Sequence, residues 1–190
     1  MKDIRNYTLL VAAVPLVASM NLAAGEKTIP VTAENFSHAE TARNYRNWAR
    51  QGANTMFVKM PGLPPRGKAA ATVQMNDDTL YGLAIVEAVD GDVTFSIPET
   101  DNYIAMQVVT ERGHGQHYVV EDGQYNLPVE SQYAFLIYRS GTENGIDSAK
   151  ASLDKVDVTD FNFATNHQVQ PYDYDEVEKW VKKYTQEVNS

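Results

Sequence analysis

The apolar positions of this chain change period along its length. Between residues 34 and 51, Phe36, Ala39, Ala42, Tyr45, Trp48 and Ala49 recur at the three- and four-residue spacing of a helix with one apolar face, and Gly52 supplies a stop. The aromatic members of this stripe are expected to face a core. From 69 to 140 the text becomes strand-like. Apolar runs at 71–75, 79–88, 93–98, 103–110, 117–120 and 133–139 are separated by the turn-forming stretches "VDGD", "PETDN" and "EDGQ". Helical spacing returns at Ile146, Ala149, Leu153 and Val156, then at Val177, Trp180, Val181, Tyr184 and Val188. Asp173 and Glu176 have the spacing of a capping box, with Asp where Ser or Thr is usual. The stretch 54–68, with "PGLPPRG" inside it, reads as a loop or an irregular edge.

This pattern predicts one α+β domain over residues 26–190. Its core is an antiparallel β-sandwich or barrel at about 54–160, with an N-terminal helix at about 34–51 and a C-terminal amphipathic helix at about 173–188. Residues 1–25 read differently. Lys2 and Arg5 precede the apolar, alanine-rich run "TLLVAAVPLVASMNLAAG", and small residues then lead to Glu26. This is the layout of a secretory signal peptide, with Ala23 and Gly25 at the small positions for a cut after Gly25. Pro15 and Asn21 interrupt the run, which falls short of the ~20 residues that span a bilayer comfortably. The expectation is an exported domain, secreted or periplasmic, with no membrane association in its mature form.

Charge and composition narrow the chemistry. Sixteen Lys and Arg against 25 Asp and Glu give a net charge of −9, so a nucleic-acid partner is not expected. The basic groups at 43–50 and 179–183 lie in helical patterns that also carry acids, and read as solvated helix faces. The chain has no cysteine, which excludes thiol catalysis, disulfides, thiolate metal sites and a lipobox.

Four candidate sites stand out. Asn76, Asp77, Asp78 and Tyr81 gather at a strand start, where they could bind a hard cation or polar ligand, or simply cap the turn. Arg139 ends the apolar strand "YAFLIYR" and needs a carboxylate partner or an anionic ligand. His114 and His117 have an H-x-x-H spacing that a third ligand, Glu111 or Glu121, could complete, but Gly113 and Gly115 make the stretch a flexible turn, and neither a metal nor a cofactor is expected. The acids Asp77, Asp78, Glu111 and Glu121 could also converge as a carboxylate pair. His38 and His167 are isolated and read as surface or helix-end residues. No Gly-x-Ser-x-Gly is present, Ser140 has no visible base, and glycine patterns for phosphate or dinucleotide binding are absent.

The Asn-x-Asp-Thr-Leu-Tyr core at Asn76, Asp78, Thr79, Leu80 and Tyr81 resembles domain-of-unknown-function family 1254, a bacterial family often paired with a second β domain of family 1214. Pro98 with Tyr103, Met106 and Gln107, and the strand ending in Arg139 before a polar insert and short helix, are similar to the same family, as is the weaker "GANTMF". The resemblance covers roughly residues 50–160. It implies an immunoglobulin-like β-sandwich, Asp78 as the partner of Arg139, and ligand contact at His114, where relatives also carry His. Asp77 departs from the pattern, since relatives carry Asn or Arg there. The sequence leaves no length for a second β domain, so part of what the two-domain relatives do is expected to be lost or supplied by another chain. No activity is implied. The function expected is therefore binding of a small polar or anionic ligand, or of a partner protein, by Asn76, Asp78, Tyr81, His114 and Arg139 without catalysis. The alternative is a hydrolase, possibly metal-assisted, using His114, Asp78 and Arg139.

Overall fold

The computed structural model describes residues 27–64 and 76–188; the signal peptide expected over 1–25 and the strand expected at 71–75 lie outside them. Within them the elements run α1 (Phe36–Ala49), β1 (Val58–Lys59), β2 (Thr79–Glu87), β3 (Asp92–Ile97), β4 (Ile104–Thr110), β5 (Gly115–Val119), β6 (Gly123–Pro128), β7 (Tyr133–Gly141), α2 (Ile146–Asp154) and α3 (Tyr174–Val188). The three helices and the strands β2, β3, β4, β5 and β7 fall where the periodicity puts them. Two strands differ from expectation. β1 is two residues inside the stretch read as a loop or irregular edge, too short to show a period. β6, "GQYNLP", turns only Tyr125 and Leu127 inward among exposed polar positions, so it lacks an apolar run.

The fold is α+β with antiparallel sheets. One sheet has the order β1-β2-β7-β4-β5, and β3 pairs with β6 in a second. Strand alternation gives the larger sheet two unlike faces. Leu80, Ala84 and Val86 of β2, with Met106, Val108, Leu136 and Tyr138, pack against Val93, Phe95 and Ile97 of β3 and against Ala149 and Leu153 of α2. Tyr81, Leu83 and Ile85, with Phe135, pack on the opposite side around Tyr45 of α1. The buried Tyr138 hydroxyl donates to the Ser96 carbonyl at 2.7 Å, which joins the two sheets through a satisfied polar contact.

Helix α3 covers α1. Val177 packs on Val31 and Ala39, and Phe36 meets Tyr184 with ring centroids 5.1 Å apart. The aromatic stripe of α1 is thus split between two neighbours, Phe36 toward α3 and Tyr45 with Trp48 toward the sheet. The basic residues of α1 are not simply a solvated face: Arg43 closes on Glu40 with two bonds of 2.7 Å, and the Arg46 guanidinium lies 4.4 Å from the Tyr174 ring centroid. Only half of the expected capping box forms. Asp173 Oδ1 accepts from the Glu176 N–H at 3.1 Å, but Glu176 Oε2 accepts from the Val31 N–H at 3.0 Å instead of reaching back. The Asp173 N–H donates to the Ile29 carbonyl at 3.0 Å, so the extended lead before α1 takes over the second half of the cap. Among the described residues no helix is long and apolar enough to cross a membrane.

Gly82 lets an aromatic ring pack directly on the strand backbone. A Cβ there would sit 2.2 Å from Cζ of Phe57, whose ring lies edge-on to Tyr138 with centroids 5.4 Å apart. Gly82→Ala is expected to destabilise the domain by about 2 kcal/mol through overpacking. Urea unfolding should show a lower midpoint with an unchanged m-value, and Phe57→Leu in the same chain should restore part of the loss.

Candidate functional site

Between α1 and the larger sheet lies a cavity of about 550 Å³. Its floor is the odd-numbered face of the strands: Leu83, Val109, Phe135 and Ile137. Helix α1 supplies the opposite wall with Asn44, Asn47 and Trp48, and Tyr81 and Arg139 close one end.

Arg139 stands directly opposite Tyr81 on β2 and Ala105 on β4, so its side chain shares their face. Its Nη2 donates to Gln107 Oε1 at 2.9 Å, and its guanidinium carbon lies 5.7 Å from the Tyr81 ring centroid. Its Nε is buried and has no hydrogen-bond partner. The one hydrogen bond it makes goes to an amide, and no described acid forms an ion pair with it.

That overturns the expected Asp78–Arg139 pair. Asp78 is exposed, and it is held by its backbone: its carbonyl accepts from the Thr142 N–H at 3.2 Å and the Thr142 hydroxyl at 2.7 Å. The register that sets Tyr81 against Arg139 continues to Asp78 against Thr142, and alternation gives residue 78 the opposite parity from the arginine face. Asn76 is exposed and contributes its backbone N–H, which donates to the Tyr81 hydroxyl at 2.9 Å. Asp77 is half-buried beside it.

The two turn histidines go to separate partners. His114 Nδ1 lies 2.6 Å from Glu130 Oε1, and His117 Nε2 donates to the Pro128 carbonyl at 2.6 Å. Both tie β5 to the 128–130 segment, and His114 is not among the residues lining the cavity. Among the described residues no group of three or more His, Asp or Glu could hold a metal ion.

Two features went unanticipated. Tyr118 is the register partner of Gln107, so it shares the arginine face, and its hydroxyl meets that of Tyr103. Partial burial, then this contact, pushes the Tyr103 phenol up to about 12, while the Arg139 charge pulls the other way. The second is His167, expected at the surface. Its side chain is only 4% exposed, its Nε2 lies 3.0 Å from Glu111 Oε1, and its ring packs edge-on to Tyr133 at 4.4 Å between centroids. It and Glu111 line a second cavity of about 410 Å³ on the far side of Tyr45. The Tyr45 hydroxyl donates to the Val109 carbonyl at 3.0 Å, and burial, then the Glu111 charge, raises its phenol well above the usual range.

Against known proteins, the family model described as "Protein of unknown function (DUF1254)" matches residues 54–184. The chain belongs to domain-of-unknown-function family 1254. A solved structure, the VPA0106 protein from Vibrio parahaemolyticus, is similar at 14% identity with a TM-score of 0.48; the match covers 65% of this chain and 35% of that one. No curated protein matches.

In this family 1254 domain, then, Tyr81 and Arg139 come together at the cavity, Asn76 meets only the Tyr81 hydroxyl through its backbone, and neither Asp78 nor His114 lines the cavity. Two sequence signals could have revealed the arginine's partner and the helix wall. Gln107 interrupts the apolar run of β4, and Asn44 and Asn47 sit three apart on α1 beside its apolar stripe.

Two measurements check these placements. His167→Ala should cost about 3 kcal/mol in unfolding free energy, from the lost ring packing and from Glu111 left without its partner. His167→Phe should recover the packing share only. Tyr103 holds its proton longer folded than unfolded, so its contribution is complete below pH 10 and is lost as pH rises toward about 12. An ultraviolet phenolate titration should show this late ionisation, and Tyr118→Phe should move it down.

Proposed function

We propose that this domain binds a small organic anion in the cavity between α1 and the sheet, without catalysing a reaction. Arg139 takes the charged group, Gln107 and Tyr81 fix the direction of its guanidinium, and the apolar floor takes the rest of the ligand. The observation that carries this reading is the buried, unpartnered Nε of Arg139 at the end of a cavity of about 550 Å³. A guanidinium offers five donors in a rigid fork suited to carboxylate or phosphate, and a half-buried one answered by a single amide oxygen has donors left over. The volume falls within the roughly 300–1,000 Å³ range of small-ligand pockets.

The hydrolase alternative receives no such support. It needs His114, Asp78 and Arg139 to converge, and His114 is committed to Glu130 while Asp78 has the opposite strand parity from Arg139. Two further parts of our reading are the immunoglobulin-like form of the sandwich and export of the domain. The first is supported by two antiparallel sheets packed across one apolar core, the second by the composition of residues 1–25.

Thermal-shift titrations with short carboxylates and with inorganic phosphate test the binding reading. A ligand of the native state raises Tm progressively with its concentration. Arg139→Gln should weaken binding by roughly 2 kcal/mol, about thirtyfold in Kd, and Arg139→Lys by less. No shift with any anion, or a shift that Arg139→Gln leaves untouched, would sink the proposal.

A further inference from the structure

The α1 wall of the cavity tells what kind of anion fits, a step that rests on the binding reading above. Polar residues of α1 near the cavity mostly satisfy themselves. Thr41 Oγ1 donates to the Ser37 carbonyl at 2.8 Å, Gln51 Nε2 donates to the Asn47 carbonyl at 3.3 Å, and Arg43 is closed on Glu40. Asn44 and Asn47 do not. Both carboxamides line the cavity, both residues are half-buried, and neither side chain hydrogen-bonds to another described residue. Asn is a poor residue for a helix interior, because its side chain competes for backbone groups, so two of them in the middle of α1 cost helix stability with no internal return.

We infer that the ligand is a carboxylated sugar of one or two rings, with its carboxylate on Arg139 and its hydroxyls on Asn44 and Asn47. Each carboxamide offers two donors and an oxygen with two lone pairs, a match for hydroxyls, which donate and accept at once. Across the cavity, Leu83, Val109, Phe135 and Ile137 present no hydrogen-bonding side chain, and Trp48 stands beside them. A sugar ring has that same division: hydroxyls around its edge and a C–H face that gains by leaving water. A plain fatty or aromatic acid would bury both carboxamides without partners, and a neutral sugar would leave Arg139 unanswered.

Calorimetric titration of the full chain compares glucuronate and galacturonate with cyclohexanecarboxylate, which keeps the ring and acid but lacks the hydroxyls, and with glucose, which lacks the acid. At least one uronate should bind at least tenfold more tightly than both controls. Asn44→Ala with Asn47→Ala should erase the preference over cyclohexanecarboxylate, weakening the uronates while that acid, freed of burying two unpartnered carboxamides, binds at least as tightly as before. Alanine is the better helix former at both positions, and an unchanged far-ultraviolet dichroism spectrum checks the fold. Equal binding of the uronates and cyclohexanecarboxylate overturns this inference alone, as does a preference that survives in the double variant. If other acids from the carboxylate series bind and the uronates do not, the sugar is wrong and the anion site stands. If no acid or phosphate binds, both fall.

Discussion

The pairing of β2 with β7 runs from Thr79 opposite Gly141 to Glu87 opposite Tyr133, and side chains of both strands are buried on both faces. A strand covered on one side can slip and expose its apolar set at some cost; one covered on both sides has no register to slip into, because either shift buries the wrong residues twice. Every other layer is placed by this pair. Its even face carries β3, β6 and α2, its odd face carries α1, and β4 extends it through the register that sets Ala105 beside Arg139. The close approach of Phe57 to Gly82 and the Tyr138 hydroxyl on Ser96 are consequences of the same alignment, made from its even face.

The pair also concentrates unmet polar demand at one end. Of the four buried side-chain polar atoms without a hydrogen bond among the described residues, three belong to Thr79, Arg139 and Ser140, neighbours at the Arg139 end of the two strands. The fourth is His167 Nδ1. Unmet polar groups destabilise a folded chain, and of these three residues only Arg139 lines the cavity. The aromatic and amide neighbours of Arg139 position the guanidinium but do not neutralise it.

Much of the architecture was legible in the residue pattern. The helical stripes of α1, α2 and α3 and the runs that become β2, β3, β4, β5 and β7 needed only periodicity and turn signals. β1 and β6 were not legible: β1 is too short for a period, and β6 is held by its pairing with β3 rather than by an apolar run of its own. Within the site, Arg139 and Tyr81 could be singled out because an arginine ending a core strand, and a tyrosine in a polar strand start, are locally odd. Asp78 misled because the family resemblance that paired it with Arg139 says nothing about parity across a sheet. His167 misled because its burial comes from Tyr45 and Tyr133, which are far away in sequence.

The sequence by itself determined the α+β class, the balance of helices and strands, the exclusion of thiol chemistry, and the family, since all of these depend on spacing and composition that a chain carries before it folds. Which residues meet was decided by tertiary structure alone. Arg139 turned from Asp78 to Gln107 because antiparallel pairing places side chains by register, and register is settled only when both faces of β2 and β7 are buried at once. The carboxamides of α1 became a cavity wall for the same reason: the apolar stripe beside them docks on Phe135 and carries them over the sheet.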